Sequence, residues 1–245
     1  NGNSVMLGAN LTIDGSYSGA TTDEEGLGMF EGAVAYTEEN LTITNNQKYG
    51  LTMGRSSIKT IGNVTLTGNG RAINVYDGAV FSSAANITIS GSTDKAINVR
   101  QGHFHKWDGT ISITNTPGNT FHAWMSNIKI NNLTATGDGS TEESLVVINQ
   151  SSSIFENLNI NNSGNDGIES DQSVINIDNL TAKNNQGDGI DANSTTLTVN
   201  NSTISDNKGD GISASRSRIT VKNSVISGNE DDGIELNSGS NLSLE

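Results

Sequence analysis

The 245-residue chain has no cysteine, so no disulfide staples it and no thiolate can bind a metal or attack a substrate. Hydrophobic residues are 32% of the sequence and aromatics 4%. That is little for a compact globule. It suffices for a solenoid, where each coil buries a thin layer against its neighbours. No run of about 18 apolar residues occurs, which excludes a membrane-spanning helix, and no membrane insertion is expected. The single proline, Pro117, sits in the turn-like Asn115-Thr116-Pro117-Gly118. Bases are scarce as well: 13 Lys and Arg stand against 27 Asp and Glu, for a net charge of −14. Such a field attracts neither nucleic acid nor an anionic membrane surface.

The scarcity of bases is uneven. Residues 1–47 carry seven acids and no Lys or Arg, whereas residues 48–129 carry eight bases against three acids. The middle third is a basic island in an acidic rod.

What is present is a repeat. Asp-Gly-Ile recurs at Asp166, Asp188, Asp210 and Asp232, every 22 residues. Asn157-Leu158, Asn179-Leu180, Asn201-Ser202 and Asn223-Ser224 keep the same beat. Upstream, Asn40-Leu41-Thr42-Ile43, Asn63-Val64-Thr65-Leu66 and Asn86-Ile87-Thr88-Ile89 are spaced by 23. A period in this range marks a repeat array rather than disorder. Apolar and polar residues alternate within each copy, as in Leu41-Thr42-Ile43 and Ile97-Asn98-Val99, so the copies are short half-buried strands. Gly, Asn and Asp turns separate about three strands per coil. The fold expected is all-β: one right-handed parallel β-helix over residues 1–245, of about ten coils of 22–24 residues. An acidic loop near residues 15–39 is expected to interrupt it. The chain reads as a segment excised from a longer surface protein. The Asn-X-Thr triplets at Asn10, Asn40, Asn63, Asn86, Asn132 and Asn179 match the glycosylation sequon, but the beat makes them asparagine-ladder turns.

The unit Asn201-Ser202-Thr203-Ile204-Ser205-Asp206-Asn207, followed by Gly209-Asp210-Gly211-Ile212, resembles the right-handed β-helix repeats of the pectate-lyase-like superfamily. The resemblance is specific over residues 157–237 and looser over 40–156. It implies one of two functions. One is a polysaccharide lyase, hydrolase or epimerase. The other is a bacterial surface adhesin, such as an autotransporter passenger or the binding region of a serine-rich-repeat adhesin. An adhesin would sit at the cell surface and bind polysaccharide or glycoprotein glycans of host epithelium or mucus.

Every coil repeats the scaffold, so function is expected where the repeat breaks. Leu51, Ile73, Ile97, Phe121, Val146, Ile168, Ile190, Ile212 and Ile234 mark one inward register. Three residues on, Tyr76, Arg100 and Trp124 fall on consecutive coils, and a guanidinium between two rings can stack on both. Asn98 and His122 lie beside them. Arg71 and Lys95 replace the aspartate of the regular coils. His103, His105, Lys106 and Trp107 follow on the next strand, with Phe104 facing inward and both histidines outward. Aromatic rings suit the apolar faces of sugars, and arginine suits carboxylate or sulfate. These residues form the candidate site for an anionic glycan. Protonation of His103, His105 and His122 is expected to strengthen binding in mild acid.

Asp166, Asp188, Asp210 and Asp232 form a carboxylate ladder near Glu169, Asp191 and Glu235. Any parallel ladder brings carboxylates within about 5 Å of one another, so the spacing does not signal a glycosidase. The aspartates are read as caps of their own turns. Asp188, Asp191 and Asp210 are the candidates for calcium, the one cofactor considered. The paired-Asp and Gly-His-Gly motifs of polygalacturonases and the Trp-Ile-Asp-His segment of pectate lyases are absent. The favoured reading is therefore a binding protein and not an enzyme. A self-associating stalk, joined through long β faces, is the further alternative.

Overall fold

The computed structural model describes residues 4–7, 10–15, 25–140 and 142–245. Among them there is no helix, and no segment able to cross a membrane as one. Each coil contributes three short strands, and equivalent strands of successive coils pair in parallel. A first stack runs through Glu25–Met29, Tyr49–Gly54, Arg71–Tyr76, Ile97–Arg100, Phe121–Trp124 and Val146–Asn149 to Ile234–Asn237, ten strands in all among the described residues. A second stack includes Val34–Thr37, Ser57–Thr60, Val80–Ser83, His103–Lys106 and the first half of Asn127–Thr136. A third includes Leu41–Thr44, Val64–Thr67, Ile87–Ser90 and Ile111–Thr114. The expected β-solenoid of about ten coils is the observed architecture.

The inward register is as read from the repeat: Leu51, Ile73, Ile97, Phe121, Val146, Ile168, Ile190 and Ile212 pair in sequence and are buried. Each such side chain contributes roughly 1.5–3 kcal/mol by leaving water. Around coils 81–155 the core turns aromatic. Phe81 stacks on Phe104 at 4.7 Å, and Phe121 meets Phe104 and Phe155 edge-on.

The corner between the first and second stacks is a residue in the left-handed region: Arg55, Asp77, Gln101, Met125 and Gln150 all have φ between 48° and 53°. A small residue follows, and from Ser126 to Ser217 it is a buried hydroxyl. The N–H of Ser126 donates to Ser151 Oγ (3.0 Å), that of Ser151 to Ser173 Oγ (3.1 Å), and that of Thr195 to Ser217 Oγ (2.9 Å). Other corners use asparagine: Asn185 Nδ2 donates to Asn207 Oδ1 (2.8 Å), and Asn207 Nδ2 to Asn229 Oδ1 (2.9 Å). The sequon asparagines are turn-ladder residues as expected. Asn40 Nδ2 donates to Asn10 Oδ1, and Asn40 Oδ1 accepts the N–H of Asn63.

The expected loop near 15–39 is narrower than its sequence suggested. Glu25–Met29 and Val34–Thr37 are strands of a coil, and residues 16–24 lie outside the described residues.

The glycine of Asp-Gly-Ile has a steric reason. A Cβ on Gly189 would lie 2.4 Å from Ile204 Cγ2 and 2.6 Å from the Gly211 carbonyl. At Gly233 the nearest atom is Ile226 Cγ2, at 3.9 Å. Gly189→Ala should therefore cost about 1–3 kcal/mol in denaturant unfolding, and Gly233→Ala less than about 0.5 kcal/mol. Equal effects would refute the steric account.

Candidate functional site

The outward side of the first stack carries the break in the repeat. Tyr76, Arg100 and Trp124 are direct register partners, as are Asn74, Asn98 and His122. The two-sided stack on Arg100 does not form. Its guanidinium lies 4.7 Å from the Trp124 ring, while Tyr76 turns away toward Phe30, with ring centroids 6.5 Å apart. Gly54 makes this turn possible, because a Cβ there would meet the Tyr76 ring at 2.8 Å. A second cation–ring pair sits one coil back, with Arg71 Cζ 5.8 Å from the Tyr49 ring. Arg71 is oriented by Asp94, Nε to Oδ2 2.5 Å. A groove of 330 Å³ is lined by Tyr49, Arg71, Asn74, Tyr76, Asp77, Asn98, Arg100 and Gln101. Lys95 points elsewhere, donating to Asn119 Oδ1 at 2.6 Å.

Tyr49, Asp77 and Gln101 belong to this groove and were not among the sequence candidates. Tyr49 had a signal: it precedes Leu51 by the interval that separates Arg71 from Ile73. Asp77 and Gln101 are corner residues, which strand alternation does not orient.

Asn98 and His122 are ladder members more than ligand groups. His122 Nδ1 is 3.0 Å from Asn98 Oδ1, Asn98 Nδ2 donates to Asn74 Oδ1 (2.8 Å), and Asn74 Nδ2 reaches Thr52 Oγ1 (3.3 Å). Burial, then Lys95 and Arg71, pull the His122 pKa down to about 4. His122 therefore stays neutral through mild acid, against the expectation that it charges there.

The rest of the candidate set lies around the corner, on the second stack. His103 and His105 are exposed and Phe104 is buried, as expected. Lys106 is a correction: it points inward, is 0% exposed, and its Nζ has no hydrogen-bond partner. Burial pulls its pKa down to about 8. It is not available to a surface ligand. Trp107 is half-buried, with Lys59 Nζ 5.7 Å from its ring centroid and the His105 ring at 5.5 Å.

Among known families, the model described as the right handed beta helix region matches residues 119–245, just over half of the chain. The chain belongs to that family. No curated protein and no solved structure matches it.

In this β-helix the aspartate ladder caps across coils and not within its own turn. Asp166 Oδ1 accepts the N–H of Asp188 (2.8 Å), Asp188 Oδ1 that of Asp210 (2.6 Å), and Asp210 Oδ1 that of Asp232 (2.7 Å). The calcium candidates Asp188, Asp191 and Asp210 do not gather into a ligand set: among the described residues no three His, Cys, Asp or Glu side chains are placed to hold a metal ion. Burial pushes the pKa of Asp188 and Asp191 up to about 6, and neighbouring carboxylates add to the rise. Asp166 and Asp210 are raised for the same first reason.

These shifts have a definite sign. The folded-state value lies above the unfolded value of about 3.9. Between about pH 6 and pH 4 the folded chain therefore takes up protons that the unfolded chain does not, and stability rises as pH falls. The melting temperature should be higher at pH 4.5 than at pH 7.5, by about 2–4 °C for each kcal/mol gained. Asp188→Asn combined with Asp191→Asn should raise it at pH 7.5 and flatten the profile. A melting temperature that falls steadily from pH 7.5 to 4.5 would contradict this. Lys106 has the opposite sign, since its folded value lies below the unfolded one of about 10.4. Its charged form weakens the fold most below pH 8. Lys106→Met should raise the melting temperature at pH 7, and a drop would show that the buried ammonium is satisfied.

Proposed function

We propose that this chain is the binding region of a bacterial surface adhesin. It holds an anionic polysaccharide, such as a polyuronate or an acidic mucin glycan, along the outer face of residues 49–124. The observation that carries the reading is the groove lined by Tyr49, Arg71 and Arg100, in which Arg71 lies against the Tyr49 ring and Arg100 against the Trp124 ring of the next coil. Aromatic faces pack on the apolar faces of pyranose rings. Guanidinium forks pair with carboxylates in two parallel hydrogen bonds. No salt-bridge partner holds Arg100 among the described residues, so its fork is left for a ligand. The placement in coils of residues 48–129, the basic third, supports an anionic chain over a neutral one. One carboxylate, Asp77, lines the groove. Glycosidic hydrolysis uses two, which favours binding over cleavage. Assignment to the cell surface rests on the likeness of the repeat to those of surface adhesins.

Titration calorimetry with polygalacturonate should give binding that Arg100→Ala with Trp124→Ala weakens roughly 10-fold or more, a loss of about 1.4 kcal/mol or greater. The polymer should keep its length and gain no ultraviolet absorbance. Unchanged affinity in the double variant would remove the groove from consideration, and unsaturated product would make the protein a lyase.

A further inference from the structure

Two indole rings of this chain sit under cations, and they face different ways. Arg100 covers Trp124 on the first stack, and Lys59 covers Trp107 on the second. The left-handed corner at Gln101, φ 53°, separates Arg100 from His103 and turns the chain from one face to the next. On the second face Lys59, Ser82, His105 and Lys129 form one outward register, and Lys59, His105 and Lys129 are exposed. The strands Ser57–Thr60, Val80–Ser83 and His103–Lys106 carry no Asp or Glu. The nearest acid in sequence is Asp108, in the turn after Trp107. This face thus combines an indole, two lysines and a histidine without an opposing carboxylate in its strands.

We infer that the second face is a separate binding site for an anionic polysaccharide and that the protein is bivalent. The juxtaposition of Lys59 and His105 on Trp107, with Lys129 next to His105 in the same register and one corner away from the groove, is what points to it. The inference rests on the proposed polysaccharide reading and extends it. A stiff sugar chain laid along the rod in the groove stays on the first face. The second face takes another chain, and the protein bridges the two. Linked sites of this kind raise avidity for a polymer without any new contact.

A short uronate oligomer and long polygalacturonate separate the cases. The oligomer should titrate at two per protein. Arg100→Ala with Trp124→Ala should leave one site, Lys59→Ala with Trp107→Ala should leave one, and all four together none. Long polymer should scatter light with the unaltered protein and lose that scattering with either pair. Lys59→Glu serves as a second probe, since it reverses the charge and keeps the Trp107 ring in the chain. One oligomer per protein, with no effect of either change at Lys59, would overturn bivalence and leave the groove standing. Loss of all binding on changing Arg100 and Trp124 alone would do the same. No oligomer binding at all would remove both readings.

Discussion

Everything in this molecule depends on polar groups at the corners finding their partners one coil away. A left-handed residue with a Cβ is unfavourable at a turn. Here such residues recur at the same corner in coil after coil, from Glu31 to Ser238. They persist because the next coil closes the bend: at Met125, Gln150, Gln172 and Ser194 through Ser151, Ser173, Thr195 and Ser217 hydroxyls accepting N–H groups from below, and at Glu31 and Asp77 through the backbone carbonyls of Arg55 and Gln101. Asn207 and Asn185 serve other corners in the same way. The bond that shapes one coil belongs to its neighbour, so the fold is cooperative along its axis even though each coil buries only a thin core.

That constraint governs inward and corner positions and leaves the outward columns open. Substitution there changes surface chemistry without disturbing register, which is how Arg71, Arg100 and Trp124 occupy positions held elsewhere by Asp, Asn and Ser. The scaffold still accommodates them locally. Gly54 clears space for the Tyr76 ring, and Asp94 fixes the Arg71 guanidinium. The groove is a local departure from a periodic lattice, and its shape follows from which coils lost their aspartate.

Register was fully legible in the sequence, because a side-chain period of two tolerates no slip once one face is buried. The pairing of Tyr76, Arg100 and Trp124 follows from it. Side-chain direction does not, since an arginine between two rings can lean either way, and Arg100 leans to Trp124. Lys106 sets charge against alternation. With Phe104 inward, alternation alone puts Lys106 inward, and its burial obeys that rule in spite of its charge. The corner between Gln101 and His103 divides one sequence cluster between two faces: the break before His103 is legible, but alternation within a strand gives no angle between successive strands. The aspartates look like caps of their own turns because sequence shows neighbours along the chain, whereas their partners are 22 residues on.

The same aspartates show that scaffold and charge are separable. An asparagine at Asp188 or Asp210 would accept the same N–H of the next coil through its own Oδ1, as Asn63 and Asn86 do elsewhere. The carboxylate brings a charge that burial opposes at neutral pH. Its contribution there is therefore to the field and not to the turn. An anionic polymer meets repulsion over coils 166–235 and attraction over 71–100 on the same stack of strands. The acidic ladder thus sets a boundary for the groove as surely as the arginines set its centre.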